Sequence, residues 1–198
     1  MLPHTHARFR CGDAAVQRLY DEAVRKCEQN LNRFGEDTVL VEGGGYEKIW
    51  LETQPMGGEM YARYNMEAAL NNQLLFMRHQ REDGRLAGSI KCVHEVGQRS
   101  RNAVLAEFNK FQGFCFPWPA LNIYYWLGGD RAYLDMLAEC LERFDAYLWK
   151  VGTLTATAFS KAGASTIPAK TTLSATAIRL FTAPGTRRRR AAVLSPWT

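Results

Sequence analysis

The chain has 198 residues, of which 46% are hydrophobic and 12% aromatic, and this composition predicts a folded protein with one main domain. The net charge of +5 is unevenly distributed, because all 20 acidic and 18 of the 25 basic residues lie in 1–150; that part carries −2 and residues 151–198 carry +7. Nucleic-acid binding requires a basic face on a folded element, which the sequence does not offer, so we expect no nucleic-acid partner.

The first predicted element is a helix over residues 13–34. Asp13 can cap its N-terminus, and Gly35 is placed to end it. Apolar residues recur at spacings of three and four and form one stripe, which comprises Val16, Leu19, Ala23, Cys27, Leu31 and Phe34. The segment that follows, TVLVEGGGYEKIWLETQPMGG, contains several glycines. We interpret it as a long structured loop, a kind of loop that is usually functional.

A second helix is predicted from about Glu59 to Arg81. It is apolar on two sides, which indicates a helix packed between neighbours. The turn REDGRLAGSI follows it. Residues 91–107 fit a poor strand, a loop or a short helix equally well.

Two further helices complete the body. The third has Pro119 in its first turn and stops at Gly128, and the fourth runs from Asp130 to about Trp149 with the cleanest apolar stripe in the chain. No strand pattern of comparable quality competes with these helices. The sequence therefore predicts an all-α body of about four helices in residues 1–150.

Two segments carry residue types that suit a sugar. Sugars present C–H faces that stack on aromatic rings, and their hydroxyl groups pair with carboxylate and carboxamide oxygens. The segments are YEKIWLETQPMGGEMY and FNKFQGFCFPWPALNIYYW. The candidate sugar-binding residues in them are Trp50, Glu52, Gln54, Tyr61, Gln112 and Trp118. The alternative is structural: Trp50 fills the core, Glu52 faces water, and the second segment forms an aromatic belt that faces the core.

The cysteines and the N-terminus bear on the cellular location. The cysteines are five in number and widely spaced, and no CxxC occurs, which fits reduced thiols in a cytosolic protein. No Cys/His cluster has ligand spacing, so we expect no metal. The N-terminus MLPHTHARFRCGDAA lacks the apolar core of a secretory signal, and no stretch is long and apolar enough to span a membrane. We therefore expect a cytoplasmic protein with no membrane partner.

The order of these motifs resembles the start of the catalytic domain of the six-hairpin glycosidases. More narrowly, residues 13–150 resemble the mannosylglycerate-hydrolase-like branch of glycoside hydrolases. The resemblance rests on Trp50-Leu51-Glu52, on Gln80 and Asp83-Gly84-Arg85-Leu86 after the second helix, and on the proline-led third helix. The chain departs from the family pattern at Ala87, where proline is usual, and at Glu52, where aspartate is common.

This resemblance implies a partial (α/α)6 barrel with a carbohydrate substrate and no cofactor. Trp50, Glu52, Gln54, Tyr61 and Trp118 would line the sugar subsite. The implied chemistry is hydrolysis of a glycosidic bond with inversion, which uses a general acid and a general base on opposite faces of the sugar.

Residues 151–198 differ from the body in composition. They are rich in threonine and alanine, contain no acidic residue and show no apolar period, where the family would place its general acid. Read one base out of register, the codons of 152–179 can encode RDSDGDGFLESWCVYDTGEDNSVRYGDS, which resembles the expected segment. We therefore interpret 151–198 as a frameshift product. The alternative is a genuine disordered basic tail, suggested by TRRRRAA at 186–192.

Both interpretations have consequences for function. A fragment of a glycoside hydrolase without its catalytic acid and base should show no meaningful turnover, and we assign no catalytic residue. The alternative function is an independent helical interaction module with a basic disordered tail.

Overall fold

The computed structural model describes residues 2–3, 5–93, 103–110 and 116–161. The described chain contains helices and strands in the order α1 (Ala14–Gln29), β1 (Leu31–Phe34), β2 (Asp37–Leu40), β3 (Lys48–Trp50), α2 (Gln54–Tyr61), α3 (Met66–Arg78), β4 (Ser89–Val93), β5 (Ala103–Glu107), α4 (Pro117–Trp126) and α5 (Arg131–Lys161). Two small antiparallel sheets, β1-β2 and β3-β4-β5, accompany the helices. The prediction of an all-α partial (α/α)6 barrel is therefore wrong, and the fold is mixed α/β.

The first helix is shorter than predicted. Asp13 caps it as expected, because its side chain accepts hydrogen bonds from the N–H groups of Ala15 and Val16. The helix ends at Gln29, and the next residues form β1, which pairs with β2 across a turn that contains Gly35 at a φ of 62°. Leu31 and Phe34 extend the helical stripe in the sequence, but in the structure they belong to the β1–β2 hairpin. Gly35 therefore lies in the hairpin turn and does not end a helix.

The three-stranded sheet occupies segments that were predicted as loop or left ambiguous. In β3, Ile49 lies opposite Ile90 of β4, which in turn lies opposite Ala106 of β5. Both isoleucines are fully buried. Successive side chains of a strand point to opposite faces, so the neighbours of these residues form the other face of the sheet.

The second predicted helix is in fact two helices. The break lies between α2 and α3, where Asn65 accepts a hydrogen bond from the N–H of Ala68 at 2.9 Å and starts a new helix. The third and fourth helices are present as α4 and α5. Helix α5 continues past Lys150 to Lys161, across the change in composition.

The main core lies between α3, α4, α5 and the inner faces of both sheets. Phe76 of α3 and Phe116, just before α4, meet edge to face with ring centroids 6.2 Å apart. The largest fully buried side chains are Phe34, Phe76, Phe116, Phe144, Ile49, Leu51, Leu75, Ile90, Ile123, Leu134 and Leu137. Helix α1 contributes no buried residue and packs at the periphery. Within the described ranges, no helix combines the length and apolar character needed to cross a membrane.

Candidate functional site

Polar and aromatic side chains gather on the outer face of the three-stranded sheet. The polar and aromatic residues on this face, which we call the Trp50 face, are Lys48, Trp50, Ser89, Lys91 and Glu107, and the exposed Leu105 lies beside Lys91 on the same face. Their positions follow from the register, because Trp50 lies opposite Ser89 and Ser89 lies opposite Glu107. Burial of Ile49 and Ile90 on the inner face fixes this register, since a slip by one residue would bring the lysines into the core.

Glu107 is the electrostatic centre of the Trp50 face. Its carboxylate accepts hydrogen bonds from Lys48 Nζ at 2.6 Å and from Ser89 Oγ at 2.7 Å, and Lys91 Nζ lies 2.8 Å away. The bonds from Lys48 and then Lys91 lower the pKa of Glu107 to about 2. Glu107 is therefore ionised at neutral pH, which suits a hydrogen-bond acceptor and does not suit a general acid.

The indole of Trp50 lies beside this charged cluster. Lys110 Nζ is 4.5 Å from the ring centroid and Lys48 Nζ is 5.4 Å from it, within the range of cation–π attraction. The ring is partly exposed. Its Nε1–H is buried and finds no hydrogen-bond partner in the described part of the chain. A buried donor without a partner costs about 1–3 kcal/mol; since Nε1 is buried, the exposed part of the ring is the surface that a ligand can contact.

Gln54 holds the turn that presents Trp50. Its Oε1 accepts from the backbone N–H of Trp50 and from Thr53 Oγ1, both at 2.6 Å, and the side chain is buried. The oxygen that we predicted to bind a sugar hydroxyl is thus already used by the protein. Glu52 lies in the same turn and is exposed. Its contact with a sugar stays a prediction.

Lys110 is placed over Trp50 by a close approach of two backbone segments. The N–H of Gly88 donates to Glu107 O at 2.9 Å, and a Cβ at Gly88 would lie 2.5 Å from Lys110 O. Arg85 donates from its guanidinium to the same Lys110 oxygen at 3.2 Å. Only glycine allows this separation, so Gly88 sets the position of the segment that carries Lys110.

The remaining predicted residues lie elsewhere or outside the described chain. Tyr61 is at the far end of α2 from Trp50, about 10 Å along the helix from Gln54, and it is buried with Leu40 and Ala68 in a separate small cluster. Burial raises the pKa of Tyr61 to about 12. Trp118 lies on α4 with 58% of its surface exposed. Gln112 lies outside the described residues. The structure thus brings together Trp50, Glu52 and Gln54, and it separates Tyr61 from them.

Five residues of the site were not predicted from the sequence: Lys48, Ser89, Lys91, Glu107 and Lys110. A signal was present in the alternation of Lys48-Ile49-Trp50 and of Ser89-Ile90-Lys91, which is typical of strands with one buried face. Each alternation spans only three to five residues, so neither competed with the longer helical stripes.

Among the residues that the structure describes, no group of three His, Cys, Asp or Glu side chains could hold a metal ion. The described cysteines Cys11, Cys27, Cys92 and Cys140 are free thiols.

Comparison of the sequence with family models and with curated proteins, and of the fold with solved structures, found no match.

Proposed function

We propose that the chain binds carbohydrate through the Trp50 face. In this proposal it is the substrate-binding part of a glycoside hydrolase, and residues 1–198 alone do not hydrolyse the sugar. The observation that carries the proposal is the position of the partly exposed Trp50 ring beside the partly buried Glu107, Lys48 and Lys91 cluster on the outer face of one sheet. An aromatic surface next to fixed donors and acceptors is the combination that sugar recognition requires.

The chemistry of the Trp50 face supports this ligand class. The indole offers a flat surface to the C–H face of a sugar ring. The ammonium groups of Lys48 and Lys91 are donors, and the ionised Glu107 is an acceptor whose Oε1 has room for one more donor after its three protein partners.

The same groups are poorly suited to hydrolysis. An inverting glycosidase needs a protonated carboxylic acid on one side of the bond and a carboxylate base on the other. Glu107 is held ionised by its lysine partners and cannot supply the proton at neutral pH. We therefore propose binding without turnover for residues 1–198.

Calorimetric titration with neutral sugars tests the proposal. The full chain is titrated with maltose, trehalose and methyl α-mannoside, and the tightest binder is then titrated into Trp50→Ala. Trp149→Ala is the matched control, because Trp149 is 67% exposed on α5, away from the sheet. We expect at least tenfold weaker binding for Trp50→Ala, which corresponds to about 1.4 kcal/mol, and no change for Trp149→Ala. Equal affinities for the two variants, or no saturable binding by the native chain, would contradict the proposal.

A second candidate function is an interaction module, and large exposed apolar side chains favour it. Met60 of α2 and Trp118 of α4 are 64% and 58% exposed, and these two helices contact each other. Exposed apolar patches mark protein–protein contact sites. Thermal unfolding separates the candidates: an independent module melts cooperatively as a soluble monomer or dimer, whereas a fragment of a larger domain melts broadly or aggregates.

A further inference from the structure

A cleft on the opposite end of α2 from Trp50 has the dimensions of a small-molecule site. It lies between the N-terminal segment, α1 and the turn that joins α2 to α3, and it has a volume of about 630 Å³. Small-molecule pockets typically measure about 300–1,000 Å³. The cleft shares no residue with the Trp50 face and is a separate cavity.

Hydrogen bonds fix both ends of the N-terminal segment that forms one wall of the cleft. At one end, Thr5 Oγ1 donates to Ala62 O, and the N–H of Ala7 donates to Arg63 O at 3.0 Å. At the other end, Gln17 of α1 accepts from the N–H of Cys11 at 2.8 Å and donates to the carbonyl of Phe9. Residues 5–11 therefore form one wall of the cleft, hydrogen-bonded to the α2–α3 turn at one end and to α1 at the other.

The floor of the cleft is aromatic and carries hydroxyl groups. The hydroxyls of Tyr20 and Tyr64 hydrogen-bond each other at 2.5 Å, which joins α1 to the α2–α3 turn. Phe9 packs on Tyr20 with ring centroids 4.7 Å apart, and Tyr61 packs on Tyr64 at 5.5 Å. Rings in such an arrangement offer both faces and edges to another flat ring.

Some of the charged side chains that line the cleft have partners within the described chain, and others have none there. Asp21 accepts a hydrogen bond from Gln17 Nε2 at 2.9 Å, and Arg25 is paired with Glu22. Arg8 and Arg10 also line the cleft, and neither forms an ion pair with any residue in the described ranges. The guanidinium fork matches carboxylate and phosphate geometry, so these two arginines provide the available positive charge. Glu28 lines the α1 side of the cleft and adds a negative charge near Tyr61, which places an anion at the arginine end.

We propose that this cleft binds a small aromatic molecule that carries one anionic group, a carboxylate or a phosphate. The ring lies against the tyrosine floor, and the anion pairs with Arg8 and Arg10 at the rim. This site is independent of carbohydrate binding at the Trp50 face.

Titration of the full chain with three probes tests the site. Phenyl phosphate and phenylacetate distinguish the two anion types, and benzyl alcohol is the uncharged counterpart. We expect saturable binding of at least one anion, and at least tenfold weaker binding of benzyl alcohol, because a charge-assisted pair is worth about a factor of ten or more.

The double variant Arg8→Ala/Arg10→Ala should weaken anion binding at least tenfold. Arg18→Ala is the matched control, since Arg18 is an exposed arginine on the neighbouring helix α1 and does not line the cleft. Circular dichroism of both variants establishes that each is folded, and Trp50→Ala should bind the anion like the native chain. No saturable binding of either anion by the native chain, equal loss in the double variant and Arg18→Ala, or equal affinity for benzyl alcohol would overturn the proposal.

Discussion

The carboxamide of Asn72 hydrogen-bonds both backbone polar groups of Leu40, accepting from its N–H at 2.9 Å and donating to its carbonyl oxygen at 2.8 Å. Asn72 belongs to α3 and Leu40 ends β2, and both are buried. The neighbouring Asn71 donates to Thr38 O at 3.0 Å. The side-chain amides of α3 thus complete the hydrogen bonding of the outer edge of β2, beside which the described chain has no further strand.

Replacement of Asn72 by alanine should destabilise the fold strongly. The substitution leaves a buried donor and a buried acceptor of Leu40 without partners, which costs about 2–4 kcal/mol in the free energy of unfolding. Urea denaturation measures the loss. Asn122→Ala on α4 is the control, because the Asn122 side chain makes no hydrogen bond to a described residue; we expect a change below about 0.5 kcal/mol there. Similar losses in both variants would show that the contact to Leu40 is not special.

Two adjacent glycines of α2 should respond in opposite directions to alanine. A Cβ at Gly58 would lie 2.7 Å from Cβ of Asn72, whereas a Cβ at Gly57 meets nothing within 4 Å. Gly58→Ala should therefore push α2 away from α3 and destabilise the chain by about 1–3 kcal/mol. Gly57→Ala should stabilise it by about 0.5–1 kcal/mol, because alanine has the higher helix propensity. Thermal unfolding of the two variants compares them directly, and shifts of the same sign would contradict this packing.

Glu107 should give the fold a pH dependence that Glu107→Gln removes. Its pKa is about 2 in the folded protein against 4.5 for an ordinary glutamate, so its contribution is complete above pH 4.5 and is lost as the pH falls through about 2. We expect Glu107→Gln to cost about 1–3 kcal/mol at pH 7, a value reduced from the full pKa shift because the side chain is partly exposed.

The difference between native protein and Glu107→Gln should shrink as the pH is lowered from 5 to 2.5, as measured by urea denaturation at each pH. Glu139→Gln is the control, since Glu139 is exposed on α5 and forms no ion pair within the described ranges. It should leave the unfolding free energy unchanged at both ends of the range. A difference that stays constant with pH would mean that the two lysines do not hold the pKa of Glu107 down.

The parts of the fold that depend on local interactions were predictable. The cap at Asp13 and the apolar stripe of α5 use contacts within one helix, so a single segment of sequence reveals them. The sheets were not predictable in the same way, because β3 pairs with β4 through Ile90 and β4 pairs with β5 through Ala106, and these partners lie far from β3 along the chain. The same reason explains why Trp50 was identified and its neighbours Glu107 and Lys110 were not.

The interpretation of residues 151–198 has a direct test in the coding DNA. If the tail arises from a shifted frame, insertion or removal of one base near codon 150 opens a long frame that continues the domain with further helical segments. Sequencing of the genomic locus and of the transcript shows whether that frame exists. A short frame with early stop codons in both alternative registers would instead establish the basic tail as the encoded end of this sequence.

The central claim, that the Trp50 face binds a sugar, is tested most directly by the indole N–H resonances of the ¹⁵N-labelled chain. Trp50→Phe identifies the Trp50 signal, and the sugar that binds in calorimetry is then added to the native protein. The Trp50 Nε1–H resonance should shift in a saturable manner, because a sugar that stacks on the partly exposed indole changes the surroundings of the whole ring. The signal of the exposed Trp149 should stay in place. A shift at Trp149 or Trp118 with none at Trp50 would contradict the account.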